Sequence, residues 1–115
     1  MIPKDIRPLL DSLREKSRGG RLGWEASASP LIEQDFFVAL GEYTLNIFRV
    51  GDEAAVNPHI AFRILDAGGK SLYSFGVYDG DPDFREAEEL LTFAARKANR
   101  VDEVVDHLTR ALAAV

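Results

Sequence analysis

Two hairpins between Asp35 and Tyr78 constrain this chain more than any other feature, because each fixes its own register. Gly41-Glu42 reads as a two-residue turn with glycine first, the signature of a type II′ hairpin. It sets Leu40 opposite Tyr43, Val38 opposite Leu45 and Phe36 opposite Ile47. Gly68-Gly69, at the tip of the second hairpin, sets Ile64 opposite Tyr73, Phe62 opposite Phe75 and Ile60 opposite Val77. Side chains alternate faces with period two, so both hairpins independently gather large apolar residues onto one face. Agreement between turn chemistry and pattern, twice over, predicts a four-stranded antiparallel meander in the order 1-2-3-4. The face it builds is apolar enough to require a cover.

Helical spacing on both sides of the meander supplies that cover. A first helix is expected to begin after Asp5, acting as N-cap, and to run to Arg18, with Ile6, Leu9, Leu10 and Leu13 as its apolar stripe. Pro8 falls in its first turn and Gly19-Gly20 stops it. Leu22 and Trp24 suggest a short extra strand, and Ala26 to Pro30 an irregular crossing loop. Asp81 as N-cap and Pro82 at the first helical position announce a second helix, whose Phe84, Ala87, Leu91, Ala94 and Ala98 recur at three- and four-residue steps. Asn99-Arg100 marks a break. A last helix follows from about Asp102, with Val101, Val104, Val105, Leu108 and Leu112 as its buried edge. The expected fold is α+β: a single domain over residues 1–115, with an N-terminal helix, the meander, and two C-terminal helices packed on one sheet face.

The reverse face is less orderly. Alternation assigns it Phe37, Ala39, Thr44, Asn46, Phe48, Ala61, Arg63, Leu65, Leu72, Ser74, Gly76 and Tyr78. A water-facing antiparallel sheet normally alternates more cleanly than this. Ala39, Ala61, Ser74 and Gly76 leave a shallow trough between larger side chains, and something can approach closely there. The first helix or the Trp24 segment is the expected occupant, with a second copy or another protein as the other candidates. Phe37, Phe48, Arg63, Leu65, Leu72 and Tyr78 are the candidate partner-binding residues.

Composition narrows the function classes. At 115 residues, 46% apolar and 29% charged, the chain fits one ordinary globular core. No apolar run approaches the roughly 18 residues that a membrane span needs. Asp5 and Asp11 interrupt the N-terminal segment, so no signal peptide is expected, and the chain has no cysteine for a disulfide or a thiolate. Together these features predict a cytoplasmic protein. The net charge of −5 is uneven: residues 1–30 hold six Lys/Arg against four Asp/Glu, residues 31–115 eight against fifteen. An acidic body repels polyphosphates. Where a double-stranded-RNA-binding domain would carry lysines after its sheet, this chain has Asp79, Asp81, Asp83 and Glu86. Nucleic acid is therefore an unfavoured partner, and the Arg14–Arg21 cluster reads as the solvated side of the first helix.

Side chains for catalysis are sparse. His59 and His107 are the only histidines, and neither has a metal-ligand partner at helical spacing. Asp79, Asp81 and Asp83 imitate the first three ligand positions of an EF-hand, but Phe84 stands where that loop needs glycine and Leu90 where it needs glutamate. The three acids read instead as helix-start residues. No glycine pattern cradles phosphate, and no cofactor is expected. Trp24, the single tryptophan, reads as a residue that closes one end of the core.

Four segments carry a resemblance: Gly20-Arg21-Leu22-Gly23-Trp24, Gly41 to Ile47, Phe62 to Lys70, and Ala94-Ala95-Arg96-Lys97-Ala98. With them the chain resembles small stand-alone bacterial proteins of unknown function that have a Gly-x-Trp after the first helix, a meander and a helical tail. The resemblance implies a fold and a bacterial source, but no mechanism. Taken together, the residues predict a non-enzymatic protein–protein interaction module, an adaptor, inhibitor or immunity-like protein, or chaperone-like partner, acting on another protein or on itself. The alternative is a small-molecule binder or small enzyme with a pocket between helices and sheet, drawing on Tyr43, Tyr73, His59 and Arg49.

Overall fold

The computed structural model describes residues 1–27, 34–51 and 58–115. In chain order its elements are α1 (Arg7–Arg18), β1 (Glu25–Ala26), β2 (Asp35–Leu40), β3 (Tyr43–Val50), β4 (His59–Leu65), β5 (Ser71–Tyr78), α2 (Phe84–Ala98) and α3 (Val101–Ala113). The strands form one antiparallel sheet in the order β1-β2-β3-β4-β5. This is the α+β architecture expected from the sequence, with a fifth, two-residue strand at Glu25–Ala26 rather than at Leu22 and Trp24. Of the expected crossing loop from Ala26 to Pro30, residues 28–30 lie outside the described residues.

Every hairpin pairing read from the sequence is present. Leu40 pairs with Tyr43, Val38 with Leu45 and Phe36 with Ile47. Ile64 pairs with Tyr73, Phe62 with Phe75 and Ile60 with Val77. Gly41 sits at φ +66°, a conformation that a side chain would resist at a two-residue turn. The second tip is built by Asp66, whose Oδ1 accepts from the amides of Gly68 at 3.0 Å and Lys70 at 2.8 Å. That side-chain turn shifts the register by one residue between Ile64 and Leu65.

The apolar sheet face meets α1 and α2. Phe36, Val38, Leu45, Ile47, Ile60, Phe62 and Val77 from the sheet are buried against Leu10 and Leu13 of α1 and Ala87, Leu90, Leu91 and Ala94 of α2. Trp24 closes this core at the β1 edge, 3% exposed, and its Nε1–H donates to the buried Ser17 Oγ at 2.9 Å. Arg49, at the end of β3 far from its hairpin tip, reaches Glu88 on one flank of α2 at 3.5 Å. Glu86 and Glu89, on the other flank, face α1. Hence α1 lies beside α2 on the side of the hairpin tips.

Neither helix start follows the expected cap. At α1 the turn begins earlier, with the amides of Ile6 and Arg7 both donating to the Pro3 carbonyl, so Asp5 is not needed and Ile6 occupies the cap position. At α2, Asp83 rather than Asp81 precedes the first helical residue, and it makes no side-chain cap bond. Both carboxylates are committed elsewhere. Asp81 Oδ2 accepts from the Met1 amine at 2.6 Å and from the Tyr78 amide at 3.0 Å, which holds its pKa below the usual carboxylate range, the amine contributing most. Asp83 Oδ2 accepts from the Ile2 amide at 2.9 Å. The acidic turn thus ties the first residues of the chain to the end of the sheet, and Ile2 is buried there.

The basic residues of α1 are not simply a solvated side. Arg7 pairs with Glu86 at 2.5 Å and Asp83 at 3.6 Å, Arg14 with Glu89 at 3.4 Å, and Arg18 with Glu89 at 2.7 Å. This ladder runs between two parallel helices and joins the basic arm to the acidic body. Arg18, and secondarily Arg14, hold the Glu89 carboxyl below the ordinary glutamate range. A depressed carboxyl stabilises the fold above its unfolded pKa and loses that contribution as pH falls through its folded value. Glu89→Gln should therefore lower the urea midpoint at pH 7, and the gap from the parent should close as the pH drops below the glutamate range. A gap that is constant with pH would assign the loss to packing.

Expectations about burial fail in two helices: Leu9, expected in the apolar stripe of α1, is exposed, and so is the expected buried edge of α3. Asn99 and Arg100 break the helical tail as read from the sequence, with Arg100 in the left-handed region at φ 52°. Arg96 bonds Asp102 across the corner at 2.6 Å. Beyond that corner no residue of α3 is buried: Val104, Val105, Leu108 and Leu112 are all exposed, Leu108 at 55%. The molecule is elongated as a result, with a radius of gyration of 15.5 Å, against about 13 Å for a compact chain of this size. No helix among the described residues is long and apolar enough to cross a membrane.

Candidate interaction face

The reverse sheet face is not covered by the segments expected to cover it, since α1 and Trp24 both pack on the opposite side. Strand alternation builds this face in rows. Phe37, Asn46, Arg63 and Ser74 face one another across β2, β3, β4 and β5, and Asp35, Phe48, Ala61 and Gly76 form the neighbouring row.

Asn46 is the hub. Its Nδ2 donates to Asp35 Oδ1 at 2.5 Å and to the Phe36 carbonyl at 2.9 Å. Its Oδ1 accepts from Arg63 Nε at 3.2 Å and Nη2 at 3.0 Å. Direct cross-strand pairing brings Asn46 and Arg63 together, because opposed side chains start about 5 Å apart. Arg63 then lies over the Phe48 ring, its guanidinium carbon 4.9 Å from the centroid. The long side chain is thereby held flat on the sheet. Among the described residues no carboxylate forms an ion pair with it.

Asp35 and Asn46 are both buried, so their hydrogen bonds matter. Removing a donor to a buried carboxylate costs about 1.5–3 kcal/mol. Asn46→Ala should accordingly lower the unfolding free energy by about 2 kcal/mol in urea denaturation. A loss below a few tenths of a kcal/mol would mean that the Asp35–Asn46–Arg63 chain does not hold this face together.

At the other end of the face, His59 stacks on Tyr78 with ring centroids 4.5 Å apart. Gly76 makes room for the stack: a Cβ there would come within 2.9 Å of His59 Cδ2. The glycine in β5 is thus a close-approach position.

Of the six residues expected to bind a partner, Phe37, Phe48, Arg63 and Leu65 cluster on β2, β3 and β4. Leu72 and Tyr78 mark the two ends of the edge strand β5, about 20 Å apart at the strand rise. Both of these end residues are exposed. Asn46 and Asp35, which organise the face, are not among these six. The sequence signal for them is the alternation itself, which places an asparagine between Phe37 and Arg63 inside the sheet, where a polar side chain must find partners.

The residues proposed for a pocket do not converge. His59 lies on the reverse face, while Tyr43 and Arg49 lie on the helix-covered face, at opposite ends of β3. Tyr73 is exposed near the second tip. A half-open groove of about 700 Å³ runs instead between Gly23–Ala26 and the α2–α3 corner, lined by Arg96, Lys97, Arg100, Asp102 and Glu103 among others. Its charges are of both signs, and Arg96 is already paired with Asp102. Among the described residues no cluster of three or more histidines or carboxylates is arranged to hold a metal ion. No known family model matches the chain, and neither do any curated protein or solved structure.

Proposed function

We propose that this chain is a non-enzymatic protein-interaction module that docks another protein on the reverse face of its sheet. The observation that carries this reading is Arg63: a guanidinium fixed by Asn46 and Phe48 at the centre of a partly apolar face, with no carboxylate paired to it among the described residues. A pre-positioned arginine surrounded by aromatic and aliphatic groups is a favourable interface anchor, because little side-chain freedom remains to be lost on binding. The partner it fits presents an acidic side chain flanked by apolar ones. An adaptor, an inhibitor or immunity-like protein, or a chaperone-like partner is consistent with such a face.

Nucleic acid is disfavoured in this reading. Arg7, Arg14 and Arg18 of the basic arm are engaged with Asp83, Glu86 and Glu89, and the net charge is −5. A cytoplasmic setting in a bacterial cell accompanies the proposal, supported by the lack of cysteine and by the resemblance of its turns and core positions.

The test is to replace Arg63 by Glu and Leu65 by Ser together and compare the proteins retained by parent and variant. A partner held by the parent and released by the variant is the expected result, with the variant still unfolding cooperatively although at a lower midpoint, since Asn46 Oδ1 loses its two bonds from Arg63. Undiminished retention of every partner by a folded variant would remove the reverse face from consideration.

A further inference from the structure

Two apolar surfaces apart from the reverse face are left open, and they are complementary. The first is the stripe of α3 formed by Val101, Val104, Val105, Leu108 and Leu112, of which the last four are exposed. At 100° per residue these side chains span about 100° of arc, the width of a helix that faces a core rather than the narrow seam of a two-stranded coil. The second is the strip of the helix-covered sheet face nearest the hairpin tips. There Leu40, Tyr43 and Tyr73 are exposed, and Ile64 is only partly buried. The sheet is wider along its strands than α1 and α2 can cover.

The chain cannot close this gap with its own α3. That helix starts at the β1 edge, two residues after α2 ends, and α1 lies between α2 and the tip strip. Packed helices sit about 8–10 Å apart, so the strip is two helix widths from α2, while the link from Ala98 to Val101 spans at most about 11 Å. A different molecule must supply the helix.

We infer that a second copy of this chain does so: α3 of each protomer lies across the tip strip of the other, as a third helix beside α1. One two-fold arrangement of this kind covers both open surfaces of both chains, whereas pairing α3 with α3 would leave Leu40, Tyr43 and Tyr73 in water. The reciprocal contact uses each surface twice, which brings the buried area to the order of the about 1,600 Å² of a standard stable complex. The helix is 13 residues long, about 20 Å at the helical rise, which matches the width of four or five strands. Its corner at Asn99–Arg100, with Arg100 in a left-handed conformation, is the element that directs it outward.

Light scattering on the full chain during gel filtration reads the first consequence. The expected mass is twice 12.8 kDa. Leu108→Lys and, independently, Tyr43→Lys should each return it to the single-chain value; both side chains are exposed in the protomer, so neither change strains its fold. Because the chain has no cysteine, a Leu108→Cys, Tyr43→Cys double variant gives the second reading: oxidation should join two chains through a bond between positions 108 and 43. A single-chain mass for the parent at 100 μM protein would overturn the inference. So would a dimer that survives Tyr43→Lys, or one in which Leu108→Cys alone links to itself in full yield, since that is helix-to-helix pairing. Arg63→Glu should leave the dimer intact, which separates this contact from the reverse face.

Discussion

Replacing Phe62 by Ala is expected to lower the unfolding free energy by about 3–5 kcal/mol, most of the stability a small domain has. Phe62 is 1% exposed, stacks on Phe75 with centroids 4.9 Å apart and planes 10° from parallel, and pairs across the strands with Ile47, which is fully buried. Truncation removes the ring's contacts and leaves a cavity that strands fixed by their neighbours cannot close. Phe75, its stacking partner, is only partly buried, and Phe75→Ala should cost clearly less. Urea denaturation followed by Trp24 fluorescence gives both values. Equal losses would show that the edge strand β5 is covered as fully as β4 beside it, contrary to the partial burial of Phe75.

Trp24→Ala carries the second large loss, again about 3–5 kcal/mol, and here circular dichroism must replace fluorescence as the probe. The indole seals the core where β1, α1 and the end of α2 meet, and its Nε1–H supplies the bond to buried Ser17 Oγ. Trp24→Phe separates the two contributions, keeping much of the apolar bulk and losing the donor. Its hydrogen-bond part should be about 1 kcal/mol, and Ser17→Ala should lose a similar amount. If Trp24→Phe cost as much as Trp24→Ala, the hydrogen bond rather than the packing would be the main contribution at this corner.

These losses fall where the sequence is most legible. The pairings of Phe62 with Phe75 and of Phe36 with Ile47 follow from turn residues and period-two alternation, which are local and mutually consistent. Trp24 as a closing residue was legible for a similar reason, lying just after a helix stop and just before the sheet. The missed helix starts have a different origin. Asp81 and Asp83 have the right chemistry to cap α2, but residues 1 and 2, some eighty positions away, take up their carboxylates. No local pattern reports that competition.

The exposed face of α3 shows a further limit. Val104, Val105, Leu108 and Leu112 state that a helix face wants a cover, but not whether the chain can reach one. That depends on which side of α2 the first helix occupies, and this is set by Arg49 meeting Glu88 on one flank while Arg14 and Arg18 meet Glu89 on the other. On the reverse face, alternation placed Phe37, Phe48 and Arg63 together and missed Asn46, which organises them. Phe37, Phe48 and Arg63 were legible as large side chains beside small ones, whereas the Asp35–Asn46–Arg63 chain needs three strands in register before it exists.

Whether that face receives a partner is best measured in the cells that make the protein, with a photo-reactive phenylalanine analogue at Leu72 on the reverse face and, separately, at Arg85 on α2. Both positions are exposed, so the label itself does not disturb the fold. Docking on the reverse face predicts a discrete protein adduct from position 72, lost when Arg63 is changed to Glu, and none from position 85. Adducts from position 85 alone, or adducts from position 72 that are indifferent to Arg63, would contradict it.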